Sequence, residues 1–507
     1  MEEKSVFNLI DRLINFGLKN SLIEESDECF VINRILNVLS LESYEKTEID
    51  ENENLECAEP ILNGLLDFAA DTGVLKSNTI TSRDALDTEI MACLMPRPSE
   101  VIAKYNNLYQ NNKKSATDYY YNLSKASNYI RVNRVKKDML WKTPTKYGDI
   151  TITINLSKPE KDPKDIAAAR KVKSSSYPKC LLCKENEGFS GTGAKPARAN
   201  HRIIPMTINS EKWFMQYSPY VYYNEHCIFF KGEHSPMAVN RKSFERLLEI
   251  ITVLPHYFVG SNADLPIVGG SILTHDHFQG GCAEFPMANA NTYKSIKFDG
   301  FDSVEAGLVD WAMSVIRIKG TDKKELVDLA DKILTNWREY SDENAEILAF
   351  TEGVPHNTIT PISRFRNGKY ELDLVLRNNR TSDEFPLGIF HPHPQYHHIK
   401  KENIGLIEVM GLAILPARLK KELSSIEYYL LNPEKEEELF NDEALSIHKD
   451  WYLELKKKNP TKENVNQIIK DSVGVIFSEI LENAGVYKRT ENGINSFLKF
   501  VDYVNKK

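Results

Sequence analysis

The chain has 507 residues, 41% hydrophobic and 27% charged, with 64 Lys+Arg against 72 Asp+Glu for a formal charge of -8. This usage excludes a collagenous, mucin-like or wholly disordered chain, and the acidic balance speaks against a non-specific nucleic-acid binder. No apolar run approaches about 18 residues, and the opening MEEKSVFNLI lacks a basic stretch followed by an apolar core, so neither a membrane span nor a secretory signal is expected. A cytoplasmic protein of about three domain-sized units is the default.

Residues 1–142 read as an N-terminal helical region. Val6, Leu9, Ile10, Leu13 and Ile14 recur at helical spacing, as do Val31, Ile32, Ile35, Leu36 and Leu39. The acidic run 48–56 reads as a solvated loop, and Pro96 with Pro98 marks a boundary before a second helical stretch running to about Lys142. At Tyr147 the period changes: residues 150–155 alternate β-branched apolar with polar side chains, the pattern of a half-buried strand. Residues 227–230 and 347–351 read as further strands, residues 370–376 alternate again, residues 304–340 read helical, and the tail from about 420 onward is charged and helical in period. The predicted units are 1–142, a first β-rich half at 143–303, a second at 304–430, and a helical tail at 431–507.

Seven cysteines are too few for a disulfide framework; five are scattered, whereas Cys180 and Cys183 form a C-x-x-C. Of 12 histidines none precedes His201, and 11 fall between His201 and His398, a clustering that favours a site. His275-Asp276-His277-Phe278-Gln279 and His391-Pro392-His393-Pro394-Gln395 share the pattern H-x-H-x-Q, which fits a diverged duplication or chance. The first copy lies in DLPIVGGSILTHDHFQGG, where glycines let a ligand approach the backbone. In an extended segment His275, His277 and Gln279 share one face, successive members about 7 Å apart. Two imidazoles and an amide so placed suit phosphoryl chemistry: one ring attacks phosphorus and the amide donates to a non-bridging oxygen. The attacking nitrogen needs its lone pair, so a backbone carbonyl is expected to hold the proton on the other ring nitrogen.

That segment resembles the signature of the second sequence class of galactose-1-phosphate uridylyltransferases. MPRPSEVI, YGDITITINLSKPEKDPKDIA, YPKCLLCKENEGFSG, PARANHRIIP, QYSPYVYYNEHCIFFKGEH and HHIKKENIGLIEVMGLAILPARL are similar to it too, so the likeness runs over residues 95–418. The resemblance implies an α+β fold built of duplicated histidine-triad-like antiparallel sheet halves. It implies exchange of a uridylyl group between UDP-glucose and galactose 1-phosphate, with other hexose 1-phosphates as further candidates, by double displacement in a homodimer. His277 takes the nucleophile's place and Gln279 the amide's. Asp276 and Phe278 stand where the first class has Pro and Gly. Gly270 and Ser271 fall where that class contacts substrate phosphates, Glu408 where it holds sugar hydroxyls, and Leu181, Leu182 and Asn200 are uridine-site candidates. Lys158, Lys161, Arg198 and Arg202 are candidate phosphate contacts, and each fits an ordinary surface cation equally.

The resemblance also implies a structural zinc on Cys180, Cys183, His234 and His275, with His226 an alternative third ligand; four protein ligands leave no open position. His391, His393, His397 and His398, with His356 nearby, are candidates for a second metal or for hydrogen-bonded structural roles. The competing enzymatic reading is another histidine-triad nucleotidyltransferase or a dinucleoside-polyphosphate phosphorylase. The intact His277–Gln279 pair argues against a catalytically dead binding protein.

Overall fold

The apolar stripes near the N-terminus pair off in helices Glu3–Lys19, Glu28–Leu39, Glu59–Asp71 and Ile80–Ala92, where Val6, Ile10, Ile35, Ile61 and Leu65 lose all solvent contact. The computed structural model describes residues 3–156, 176–192 and 194–507. Pro98 opens the next helix, Pro98–Asn111, at the first turn, where its missing N–H costs nothing, and the Glu100 carboxylate accepts the Arg97 N–H at 2.8 Å. Asn112 caps the following helix, Lys113–Ala126, by accepting from the Lys114 and Ser115 N–H groups. Helical structure ends there, apart from the turn Val132–Val135, and Lys142 lies inside β1 (Met139–Thr145). The expected continuation to Lys142 is corrected: residues 139–145 supply the antiparallel partner that β2 (Gly148–Ile154) needs for its backbone. β15 (Leu412–Leu415) completes this small sheet in parallel with β2.

Among the described residues the main sheet has ten strands: β3 (Ile204–Ile208), β4 (Glu211–Tyr217), β5 (Cys227–Lys231), β6 (Phe258–Gly260), β7 (His277–Gly281), β8 (Thr292–Ile296), β9 (Glu305–Val309), β10 (Val315–Gly320), β13 (Asn357–Arg366) and β14 (Lys369–Asn378). A separate hairpin pairs β11 (Phe350–Thr351) with β12 (Val354–Pro355). The main order is β3-β4-β5-β7-β6-β13-β14-β10-β9-β8, antiparallel throughout. Read inward from either edge, the connectivity is the same, and each arm inserts one long helix at the same point: Arg241–Val253 between β5 and β6, Lys323–Glu339 between β10 and β13. Residues 304–340 are therefore two strands followed by a helix, because Leu308, Ile316 and Ile318 bury in the sheet. Of residues 347–351 only the last two form strand.

Residues facing each other across a ladder share a sheet face. One face, carrying Phe229, Phe278, Val259, Leu374 and Ile316, buries against both long helices and the N-terminal region, so that region and the sheet share one core. Tyr120 and Tyr217 bolt the two together by donating to the Arg202 and Thr117 carbonyls at 2.6 and 3.0 Å. The tail divides: helix Glu491–Lys506 joins this core, while Arg418–Leu431, Lys449–Lys456 and Val465–Ala484 pack with β2, β15 and the opposite face of the main sheet.

On that opposite face one row crosses five strands. Gln279 faces Gly260, Gly260 faces Ile362, Ile362 faces Asp373, and Asp373 faces Arg317. Gln279 and Asp373 thus sit at matching places in the two arms, as do the residues two positions earlier, His277 and Glu371. The second H-x-H-x-Q lies elsewhere, in a loop and the short turn Pro394–Tyr396, outside the main sheet.

Candidate active site

β7 begins at His277, so His275 lies in the turn before the strand. Phe278 stacks on Trp213 behind the sheet at 5.2 Å, and Asp276 accepts from Arg246 at 3.0 Å while Arg246 also clamps Glu211. These two residues, in the places of Pro and Gly, anchor the motif from the rear and leave both histidines on the far side. The His277 ring is buried, and its Nδ1–H donates to the His275 carbonyl at 2.7 Å, which leaves the Nε2 lone pair uncommitted. Burial pushes its pKa down to about 4, so the ring is neutral.

A cavity of about 480 Å³ opens on this face. Gly270 and Ser271 line it with Gln279 and Glu408, and Asn262, Asn403 and Leu406 are among its other walls. Four sequence candidates from two distant stretches of chain, residues 270–279 and Glu408, are therefore brought together. Gly269 and Gly270 carry φ of +101° and +95°, a region open to glycine, and a Cβ on Gly269 would stand 2.7 Å from the Ile404 carbonyl. Glu408, on the turn Leu406–Val409, accepts the Gly405 N–H at 2.9 Å through Oε2. Its Oε1 pairs with the Lys400 ammonium at 2.5 Å as a charge contact without hydrogen-bond alignment. Arg377, fully buried beneath, donates to the Ile404 carbonyl at 2.9 Å; burial lowers its pKa to about 10.

The Cys180, Cys183, His234 and His275 donor atoms lie within 4.8 Å of one another. Sγ–Sγ is 3.5 Å, Cys180 Sγ to His275 Nδ1 is 3.2 Å and Cys183 Sγ to His234 Nδ1 is 3.2 Å. Tetrahedral zinc would space such atoms by about 3.3–3.8 Å, close to these separations, so the set fits a metal, and the sulfur separation is too long for a disulfide. The His275 Nε2–H donates to the Lys231 carbonyl at 2.8 Å, which aims the Nδ1 lone pair at the cluster. Leu182 packs with Phe214 and Phe230 under it, and Leu181 is exposed.

Other candidates fall elsewhere. His226 is not in the metal group; its Nε2 is 3.1 Å from Gln279 Oε1. Asn200 donates to the Ser127 carbonyl, Arg198 donates to the Tyr129 hydroxyl at 2.5 Å, and Arg202 donates to the Pro96, Ala199 and His201 carbonyls. None of the three lines the cavity; they fasten the N-terminal region to the sheet. Lys158 and Lys161 lie outside the described residues. His391, His393, His397 and His398 do not converge on a metal-sized group among the described residues. Their ring nitrogens contact the Asn403 amide oxygen and the Ile389, Pro392 and Gln395 carbonyls, and His356 contacts Asn379. These contacts fit the alternative of hydrogen-bonded structural histidines. Sequence reasoning missed Asn262, Asn403, Lys400 and Arg377, which carry no spacing signal because separate loops and strands supply them.

Comparison with known proteins agrees over nearly the whole chain. The profile described as galactose-1-phosphate uridyl transferase, N-terminal domain, matches residues 21–236, and the corresponding C-terminal domain matches residues 251–453. Galactose-1-phosphate uridylyltransferase of Clostridium acetobutylicum is 54% identical, covering 97% of this chain and 99% of that protein. Those of Fusobacterium nucleatum and Bacillus subtilis are 51% and 48% identical, covering 98% and 99% of this chain and 99% and 98% of those proteins. Among solved structures, yeast Ap4A phosphorylase Apa2 aligns at a TM-score of 0.31 and 12% identity over 65% of this chain and 91% of that chain.

Proposed function

The chain belongs to the galactose-1-phosphate uridylyltransferase family, and from that premise we propose that it exchanges a uridylyl group between UDP-glucose and galactose 1-phosphate through a covalent intermediate on His277. The Nε2 lone pair attacks the α-phosphorus of UDP-glucose, the N–P bond forms, and the bond to the bridging oxygen breaks to release glucose 1-phosphate. A phosphate oxygen of galactose 1-phosphate then attacks the same phosphorus and the N–P bond breaks, giving UDP-galactose and the free ring. Each leaving group is already a stable anion or a neutral imidazole, so no strong general acid is needed. Positioning and charge stabilisation carry the rate. Gln279 donates to a non-bridging oxygen, the backbone at Gly270 and Ser271 receives phosphate, and Glu408 accepts from sugar hydroxyls. Cys180, Cys183, His234 and His275 hold a structural zinc that braces the turn leading into β7.

One observation carries this reading: a buried neutral imidazole with a bare Nε2 begins the strand whose Gln279 shares a cavity with Gly270, Ser271 and Glu408. The matching strand order supports a duplicated histidine-triad-like architecture, with the junction of the halves at about residues 282–291 rather than at 303, since β8 pairs with β9. In the second arm the nucleophile's place holds Glu371, ion-paired to Arg364 and Arg366, so only the first arm is equipped for attack. A homodimer is the assembly the family implies, and sedimentation at twice the chain mass tests it. Among the described residues no helix is long and apolar enough to cross a membrane.

Incubation with UDP-glucose radiolabelled in the uridylyl group, acceptor omitted, tests the central step. Label is expected on the peptide containing His277 and is lost in His277→Ala; label elsewhere, or turnover by His277→Ala, refutes the mechanism.

A further inference from the structure

We propose that His226 is a positioning residue for the transfer, holding the Gln279 side chain with its amide N–H groups turned toward the cavity. The proposal rests on the reading in which Gln279 donates to the phosphate. An amide's two ends are nearly isosteric, and rotation about its last torsion exchanges donor for acceptor. Toward a phosphate anion one orientation donates and the other presents a repelling carbonyl oxygen. A half-buried glutamine beside a cavity therefore needs something to choose its orientation.

His226 sits immediately before β5, whose first residues pair with Gly280 and Gln279. Its ring is 3% exposed and packs against two aromatic rings, Tyr222 at 5.5 Å and Tyr223 at 4.5 Å. Tyr223 is itself fixed to β7 by donating to the Gly280 carbonyl at 3.1 Å. Nε2 lies 3.1 Å from Gln279 Oε1, and Nδ1 has no partner. A neutral imidazole carries one N–H. An amide oxygen can only accept, so the proton belongs on Nε2, and Oε1 is committed to the ring. The amide NH₂ is then the end left for the cavity that Gln279 lines. Burial lowers the His226 pKa to about 4, so the ring orients the amide near neutral pH without adding a charge to the site.

His226→Phe keeps the stacked ring and removes the donor. Loss of a partner that orients a functional group costs about 10- to 100-fold in activity. The expected result is a fall in kcat of that size, with KM for UDP-glucose within about threefold of wild type and unchanged zinc content. In a Gln279→Ala background the same substitution should change kcat by less than about twofold. Full additivity of the two losses, or an unimpaired His226→Phe beside a slow Gln279→Ala, overturns the inference alone. A Gln279→Ala as fast as wild type overturns the phosphate-contact reading beneath it. Should His226→Phe not fold, ¹⁵N NMR of histidine-labelled wild-type enzyme decides: a protonated Nε2 on His226 is expected, and a bare Nε2 overturns the assignment.

Discussion

Gly269→Ala would drive a wedge between the two walls of the cavity. At φ +101° an L-residue is strained by about 1–3 kcal/mol. The new Cβ would stand 2.7 Å from the Ile404 carbonyl oxygen and 3.0 Å from the Gly405 Cα, so relief to ordinary contact requires a shift of about 0.7 Å. The carbonyl does not yield freely, because Arg377 donates to it at 2.9 Å and the Arg377 Nε already lacks a partner. Giving up a charged hydrogen bond costs about 1.5–3 kcal/mol. The substitution therefore carries about 3–5 kcal/mol, spent partly as lost stability and partly as displacement of the Ser271 loop from the turn bearing Glu408. Since a misplacement near 1 Å costs about 100-fold in rate, kcat/KM should fall about 10- to 100-fold and the melting temperature by several degrees, with zinc content unchanged. Steady-state kinetics beside a thermal melt are the assay. A variant with wild-type kcat/KM and wild-type melting would show that the walls are not in the contact described.

Three further outcomes are expected. Cys183→Ser should abolish stoichiometric zinc in untagged protein and lower the melting temperature, as metal analysis and calorimetry would read; full zinc content would remove Cys183 from the ligand set. Asp373→Asn leaves Arg317 and Arg364 without the carboxylate that receives both, and should cost about 3–5 kcal/mol in denaturant unfolding. The two guanidinium groups lower the Asp373 pKa from 3.8 to about 2 despite burial, so the wild type carries about 2.5 kcal/mol from this group above pH 3.8 and loses it as pH falls toward 2, a loss absent from the variant. The His226 pKa is lowered from 6.5 to about 4, so between those values the unfolded chain takes up a proton the native ring refuses. Native stability should fall on acidification through that window by up to about 1.4 kcal/mol per pH unit more than in His226→Phe, and equal slopes would contradict the burial assigned to the ring.

Much of the helical periphery was legible in the sequence, because Val6, Ile10, Ile35 and Leu39 bury the stripe that their spacing announces. Strand β2 was legible for the same reason at period two. The C-x-x-C of Cys180 and Cys183 and the period-two face of His275, His277 and Gln279 were legible locally, whereas His234 and Glu408 were reached only through family motifs, because no local spacing joins them to those segments. The continuous sheet was hidden, since its halves meet at β6, three residues long, through the pairs Gly260–Ile362 and Val259–Ser363. The alternation of Tyr370-Glu371-Leu372-Asp373 suggests a solvated face. Both carboxylates are buried, because Arg317, Arg364 and Arg366 arrive from neighbouring strands to neutralise them. For Arg198 and Arg202 the sequence left two readings open, and in the fold they donate to a tyrosine and to main-chain carbonyls away from the cavity.

The missing side chain at Gly260 has a wider consequence. A Cβ there would strike Leu406 at 2.7 Å, so bare backbone between Gln279 and Ile362 is the socket into which the segment ahead of Glu408 plugs. Residues more than a hundred positions apart in the chain thereby share one mechanical reference, and neither arm expressed alone would assemble both walls of the cavity. Keeping the two arms on one polypeptide preserves that alignment through every turnover.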